Sequence, residues 1–211
     1  MTEDIPNISS LPSVIPVFPL SGVILLPGSD LPLHIFEPRY RQMIEDAYDS
    51  DQIIGMTQPT ENEAGPVPEL YNIGGAGSIT SLTPLEDGRY LINLKGISRF
   101  NILQELPATT PYRQVAAEWL VDQHIMPDNF DRDDLIKLLQ GFLSGKELAA
   151  DFSRLEDMPN NVFIDTLSMA IPFQPAEKQA LLEAESPWAR TEIFTSLLQM
   201  AVGGNLTEIP N

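Results

Sequence analysis

The chain has 211 residues, 43% hydrophobic and 20% charged, so it can bury a core in one large domain or two small ones and is too apolar for a disordered tail. Twelve Lys and Arg against thirty Asp and Glu leave a net charge of -18. That sign repels phosphate backbones and anionic lipid, which bind proteins through basic side chains, and the absence of cysteine excludes disulfides, thiolate nucleophiles and Cys-based metal sites.

The acidic, proline-bearing start lacks the basic and apolar regions of a signal peptide. Val23-Ile-Leu-Leu26 ends at Pro27, far short of a membrane span. The expectation is a soluble cytoplasmic protein with no nucleic-acid or membrane partner. Residues 1–121 carry fifteen acids and six bases, as do residues 122–211, so the acidity reads as a solvated surface and not as a tail. Proline and glycine are uneven. Fourteen of nineteen prolines fall in residues 1–127 and nine of thirteen glycines before residue 97. Both residues punctuate strands and turns and are costly inside helices. Residues 1–121 therefore read as β-rich with one helix, and residues 122–211 as a helical bundle.

In chain order, Val14–Phe18 reads as a strand, with Pro16 marking an edge or a strand start. Leu20–Leu33, broken by Gly22, Pro27-Gly28 and Pro32, reads as turns and short strand pieces. Pro38 opens a helix at the position where its missing N–H costs nothing. Tyr40, Met43, Ile44 and Ala47 recur at helical spacing, with Arg41, Gln42, Glu45 and Asp46 turned outward. Ile53–Thr57 is the next strand, and 58–70, with three prolines and three acids, a solvated loop. In Gly74–Leu82 the small residues around Ile79 suggest close backbone approach or a bulge. Glu86-Asp-Gly88 reads as a hairpin turn. After it, Tyr90, Ile92 and Leu94 alternate with Leu91, Asn93 and Lys95, the strand resumes over Arg99–Leu103, and Val115–Val121 is the last. About six short strands suggest a closed or semi-closed barrel.

Beyond Asp128 four helices follow. Asp131 caps the first, with Leu135, Leu138, Leu139 and Phe142 inward and Gly145 as its stop. Asn160 or Asn161 precedes the second, which carries Phe163, Leu167 and Ala170 and stops at Pro172. Pro175 opens the third, through Leu182. Ser186-Pro187 starts the last, with Ile193, Phe194, Leu197, Leu198 and Ala201 inward and Gly203-Gly204 ending it.

No motif carries catalysis. Gly141-Phe-Leu-Ser-Gly145-Lys146-Glu147 is one residue short of a phosphate loop and has Glu147 in place of the hydroxyl that holds magnesium. Gly74-Gly-Ala-Gly77 lacks the third glycine of a dinucleotide turn and reads as a close-packed strand. Neither G-x-S-x-G nor H-E-x-x-H occurs. Ser144 and Lys146 make no recognisable dyad. His34, in an apolar run, reads as a core or outward strand residue, and two isolated histidines, His34 and His124, are too few for an imidazole metal site. Asp133-Asp134 suits a helix start. No catalytic residue, metal or cofactor is expected.

Phe18-Pro-Leu, Leu26-Pro-Gly, Leu31-Pro-Leu and Ile35-Phe-Glu-Pro-Arg-Tyr40 together form the most informative segment. With Lys95-Gly-Ile-Ser-Arg99-Phe100, Pro111-Tyr112, Glu177-Lys-Gln-Ala-Leu-Leu-Glu183 and Arg190, it resembles the N-terminal (LON, peptidase S16) substrate-binding domain of Lon proteases in stand-alone form, over about residues 14–200. The resemblance implies an α+β fold, a barrel-like (PUA-like) subdomain at 1–121 followed by a helical bundle at 122–211. It also implies a non-enzymatic module that engages polypeptide segments or another protein in proteolysis or quality control. The ATPase and peptidase modules of Lon are expected to be absent. Two local readings stand for the segment around Pro38. In one, Phe36 and Tyr40 anchor the helix on the sheet while Arg39 and Arg41 pair with acids. In the other, Phe36, Glu37, Arg39 and Arg41 form an exposed partner contact. The alternatives are a hydrolase using acids such as Glu37 in a barrel cleft and a small-ligand sensor with a pocket between barrel and bundle.

Overall fold

The alternation across residues 90–95 belongs to the longest strand of a closed β-structure. The protein, a computed structural model, is described over residues 10–60, 67–107, 109–121, 126, 130–145, 155 and 157–205. Its elements are β1 (Val14–Pro19), β2 (Asp30–Ile35), α1 (Pro38–Tyr48), β3 (Ile53–Thr57), β4 (Ile73–Pro84), β5 (Tyr90–Glu105) and β6 (Arg113–Leu120), then α2 (Arg132–Gly145), α3 (Asn160–Ala170), α4 (Pro175–Glu183) and α5 (Pro187–Asn205). The fold class is α+β. The chain divides into two compact units, one of residues 1–122 with 172–182 and the other of 123–171 with 183–211. This division differs from the one read at residue 121 because α4 is counted with the strands.

The sheet order is β2-β5-β4-β3-β1-β6, and β6 also pairs with β5, so five strands close into a ring. Among the described residues only the β1–β3 pairing is parallel. The length of β5 makes closure possible: residues 90–95 hold β2, and residues 99–105 on the same strand hold β6. Closure satisfies strand edges that would otherwise template aggregation. Among the described residues β2 pairs with β5 alone, and Pro32 sits in this edge strand, where a missing donor is tolerated. Pro16 lies inside the ring, but pairing with β3 begins only at Val17, so on that side it precedes the paired stretch.

Ile15, Val17, Ile53, Ala76, Ile97, Phe100, Val115 and Ala117 fill the interior. Glycine shapes it. A Cβ on Gly55 or Gly74 would lie 2.7 or 2.5 Å from Phe100 Cζ, so the fully buried ring occupies the space those side chains would need. Ile24-Leu25-Leu26, also buried, runs across the sheet at its small residues, where a Cβ on Gly75 would stand 1.8 Å from the Leu25 carbonyl oxygen and one on Gly96 2.0 Å from that of Leu26. Backbone hydrogen bonds from Gly28 to Gly96 and from Gly96 to Ser29, each 2.8 Å, fix the crossing. The glycines around Ile79 thus serve the close approach read from sequence, and register shifts at Ala76/Gly77 and Ile79/Ser81 add the bulges.

Helix α4 is joined to the strands by buried polar side chains. Gln58, at the end of β3, donates to the Pro175 carbonyl and to Gln179 Oε1, both at 3.1 Å, and accepts from the Gly22 amide at 2.7 Å. Gln179 donates to the Ile73 carbonyl at 3.0 Å, and Arg99 to that of Leu182 at 2.9 Å. Gln58 is fully buried, which corrects its reading as part of a solvated loop.

In the second unit α5 packs against α2 and α3. Asp131 accepts from the Asp134 amide, the expected cap, and Ser186 caps α5 through the Ala189 amide. Arg190, almost wholly buried, pairs with Asp165 at 2.5 Å. Three readings are corrected. Asn160 lies inside α3, where its side chain accepts from Arg132. Ala170 is exposed. Gly203-Gly204 lies within α5, which runs to Asn205. The extended backbone of Ile171 before Pro172 ends α3 as expected, because proline disfavours helix at the preceding residue. His124, Lys146, Glu147 and Asp128 lie outside the described residues.

Candidate functional site

The start of α1 is built by Glu37-Pro38. Glu37 keeps an extended backbone at the N-cap and Pro38 occupies the first turn, so the helix begins abruptly after β2. Its inner face of Tyr40, Met43, Ile44 and Ala47 is the one read from spacing. Tyr40 stacks on Phe18 with ring centroids 4.2 Å apart, and burial pushes its phenol pKa up. Two further tyrosines hold the outer side. The Tyr90 hydroxyl donates to Glu45 at 2.8 Å and the Tyr112 hydroxyl to Asp46 at 2.7 Å. Both phenols are raised, Tyr90 chiefly by its hydrogen bond to Glu45 and Tyr112 chiefly by burial, so both remain protonated donors.

Phe36 does not anchor the helix. Its side chain is 61% exposed, and Tyr40 alone of the pair packs inward. Phe36 meets His34 edge-on with ring centroids 6.2 Å apart. Leu91, 45% exposed, lies directly opposite His34 in the β2–β5 register. Phe36 and Leu91 thus lie on either side of the His34 imidazole and form a small ridge on the outward face of the β2–β5 pair and the residue after it. Sequence reasoning singled out Phe36 but missed His34 and Leu91 as its companions. The signal was present: Leu91 occupies the outward set of the β5 alternation, where an apolar residue is out of place.

The charged candidates divide. Arg39 pairs with Glu37 at 2.9 Å and stacks 4.6 Å over the Tyr40 ring. Arg41 is half-buried rather than exposed, because its guanidinium lies against the turn at Gly88, where a Cβ would stand 3.0 Å from Nη2. Its Nε is buried without a hydrogen-bond partner. Phe36, Glu37 and Arg39 thus share one surface with His34 and Leu91, while Arg41 braces the β4–β5 turn. Arg89 and Lys95 on β5 and its turn are also held by acids, Arg89 by Asp87 at 2.6 Å and Lys95 by Asp30 at 3.2 Å.

Among the described residues no group of three or more His, Asp or Glu is placed to hold a metal ion, and no helix is long and apolar enough to cross a membrane.

A small closed barrel with an added helix, joined to further helices, is the architecture of Lon N-terminal domains. A Lon N-terminal domain protein from Xanthomonas campestris superposes with a TM-score of 0.62 at 21% identity, over 87% of this chain and 97% of that one. The N-terminal domain of Lon protease from the Mycobacterium avium complex gives 0.63 at 19% identity, over 90% and 98%. Residues 14–200 match the family described as the ATP-dependent protease La (LON) substrate-binding domain, and the chain belongs to that family. Lon protease 2 of Myxococcus xanthus is 28% identical over 202 residues, 91% of this chain and 24% of its own. Lon protease of Anaeromyxobacter dehalogenans is 30% identical over 124 residues, 58% of this chain and 15% of its own. The chain spans less than a quarter of the length of these two curated relatives.

Proposed function

We propose that this chain is a non-catalytic module that binds polypeptide segments or another protein, acting in the cytoplasm in proteolysis or quality control. The observation that carries this reading is the ridge in which the exposed apolar side chains Phe36 and Leu91 lie on either side of His34, in a family described by substrate binding. Grouped exposed apolar side chains mark contact sites. Arg39, fixed over Tyr40 by Glu37, supplies a polar rim. That the family match falls on the substrate-binding domain supports a role in recognition rather than chemistry.

Fluorescence anisotropy with an unfolded polypeptide tests the reading. Phe36→Asp is expected to weaken binding at least about ten-fold, close to 1.4 kcal/mol, with the fold unchanged by circular dichroism. Unaltered affinity would sink the assignment of the site. The hydrolase alternative rests on Glu37, whose carboxylate is engaged by Arg39. Peptidase or esterase activity of purified protein that disappears in Glu37→Gln would replace the present reading.

A further inference from the structure

Resting on that reading, we infer that the ridge takes a particular class of segment: large apolar residues flanked by lysine or arginine. The cations at the start of α1 and on β5 and its turn each already have their own carboxylate. Arg39 is held by Glu37 at 2.9 Å, Arg89 by Asp87 at 2.6 Å and Lys95 by Asp30 at 3.2 Å. An acidic segment approaches cations whose charge is already offset by a neighbouring carboxylate. Glu37 uses only Oε2 for Arg39, leaving Oε1 without a partner next to Phe36. Glu86 is exposed in the turn that leads into β5, with no side-chain hydrogen bond or ion pair among the described residues. Glu45 and Asp46, farther along α1, are bound by neutral tyrosine hydroxyls, which leave their charge in place.

The net charge of -18 favours a basic segment at longer range. Two apolar side chains make a small anchor, and flanking charge supplies the orientation and the on-rate that the ridge cannot supply alone. Pro32 and the charged Asp30 make β2 a poor template for an added strand, so recognition runs through side chains.

The test uses the full chain and three fluorescent peptides with the same Phe-Leu centre and lysine, serine or glutamate flanks. The lysine peptide is expected to bind about ten-fold more tightly than the glutamate peptide at low salt, the gap closing at about 0.5 M salt. Phe36→Ser is expected to abolish binding of the lysine peptide, and the pair Glu37→Gln, Glu86→Gln to narrow the gap about three-fold. Equal or tighter binding of the glutamate peptide, with Phe36→Ser weakening both, overturns the charge preference and leaves the polypeptide-binding site standing. Lysine-peptide affinity unchanged in Phe36→Ser overturns the placement on the ridge, since attraction to the acidic surface alone would explain it. If none of the three peptides binds, the polypeptide-binding reading itself falls.

Discussion

Replacing Gln58 by alanine is the sharpest probe of how α4 is held. The residue is fully buried, and its amide satisfies three groups: the Gly22 N–H, the Pro175 carbonyl and Gln179 Oε1. Alanine cannot reach any of them. Each orphaned buried group costs about 1 kcal/mol or more, so the substitution is expected to remove about 3 kcal/mol from the first unit. The loss should be local. Amide hydrogen exchange is expected to accelerate in α4 and around Gly22 while the amides of β5 and β6 change little. In a double-mutant cycle with Gln179→Ala, the shared hydrogen bond predicts coupling of about 1 kcal/mol. Urea unfolding gives the energies. A loss below about 1 kcal/mol, or equal acceleration of exchange in all strands, would refute the reasoning by showing that water replaces the glutamine or that α4 is not a separately held element.

Two glycine substitutions should have opposite signs. Gly96→Ala drives a methyl group to 2.0 Å from the Leu26 carbonyl and is expected to yield little folded protein on a soluble-expression assay, whereas Gly141→Ala, with open space around it on α2, is expected to raise thermal stability by up to about 1 kcal/mol. Burial holds the Lys178 ammonium down to about 8, below its unfolded value of about 10.4, so the unfolded chain binds more protons between those limits. Stability of the barrel unit should therefore rise with pH from about 8 to about 10, and Lys178→Met should flatten that rise; identical melting-temperature profiles for the two proteins would contradict it.

Local chemistry made much of the barrel unit readable. Helix α1 announces itself through Pro38 and the spacing of Tyr40, Met43, Ile44 and Ala47, and β5 through strict alternation, because both patterns depend on neighbours a few residues away. Gln58 was not readable. It sits among prolines and polar residues, and its burial is caused by Pro175 and Gln179, more than a hundred residues along the chain. The same holds for Asn160, whose position before an apolar run suggests a cap but whose side chain answers Arg132. Phe36 was singled out through the segment that resembles Lon, and only the pairing of β2 with β5 placed Leu91 beside His34.

The segments that carried that resemblance have physical roles here. Gly96 makes way for the Leu26 carbonyl, Arg99 holds the end of α4, Phe100 fills the space left by Gly55 and Gly74, and Tyr112 holds α1 through Asp46. Arg190 neutralises Asp165 in the second unit. These residues maintain packing.

The assignment of 172–182 to the barrel unit has a consequence for dissecting the protein. The chain leaves that unit after β6, returns to it as α4 and leaves again before α5. No single cut divides the two units into separate polypeptides. A fragment ending at residue 121 keeps every strand but leaves Gln58 and Arg99 without their α4 partners, exposing the buried faces of both. The barrel expressed by itself needs residues 10–121 rejoined to 172–183 through a flexible linker.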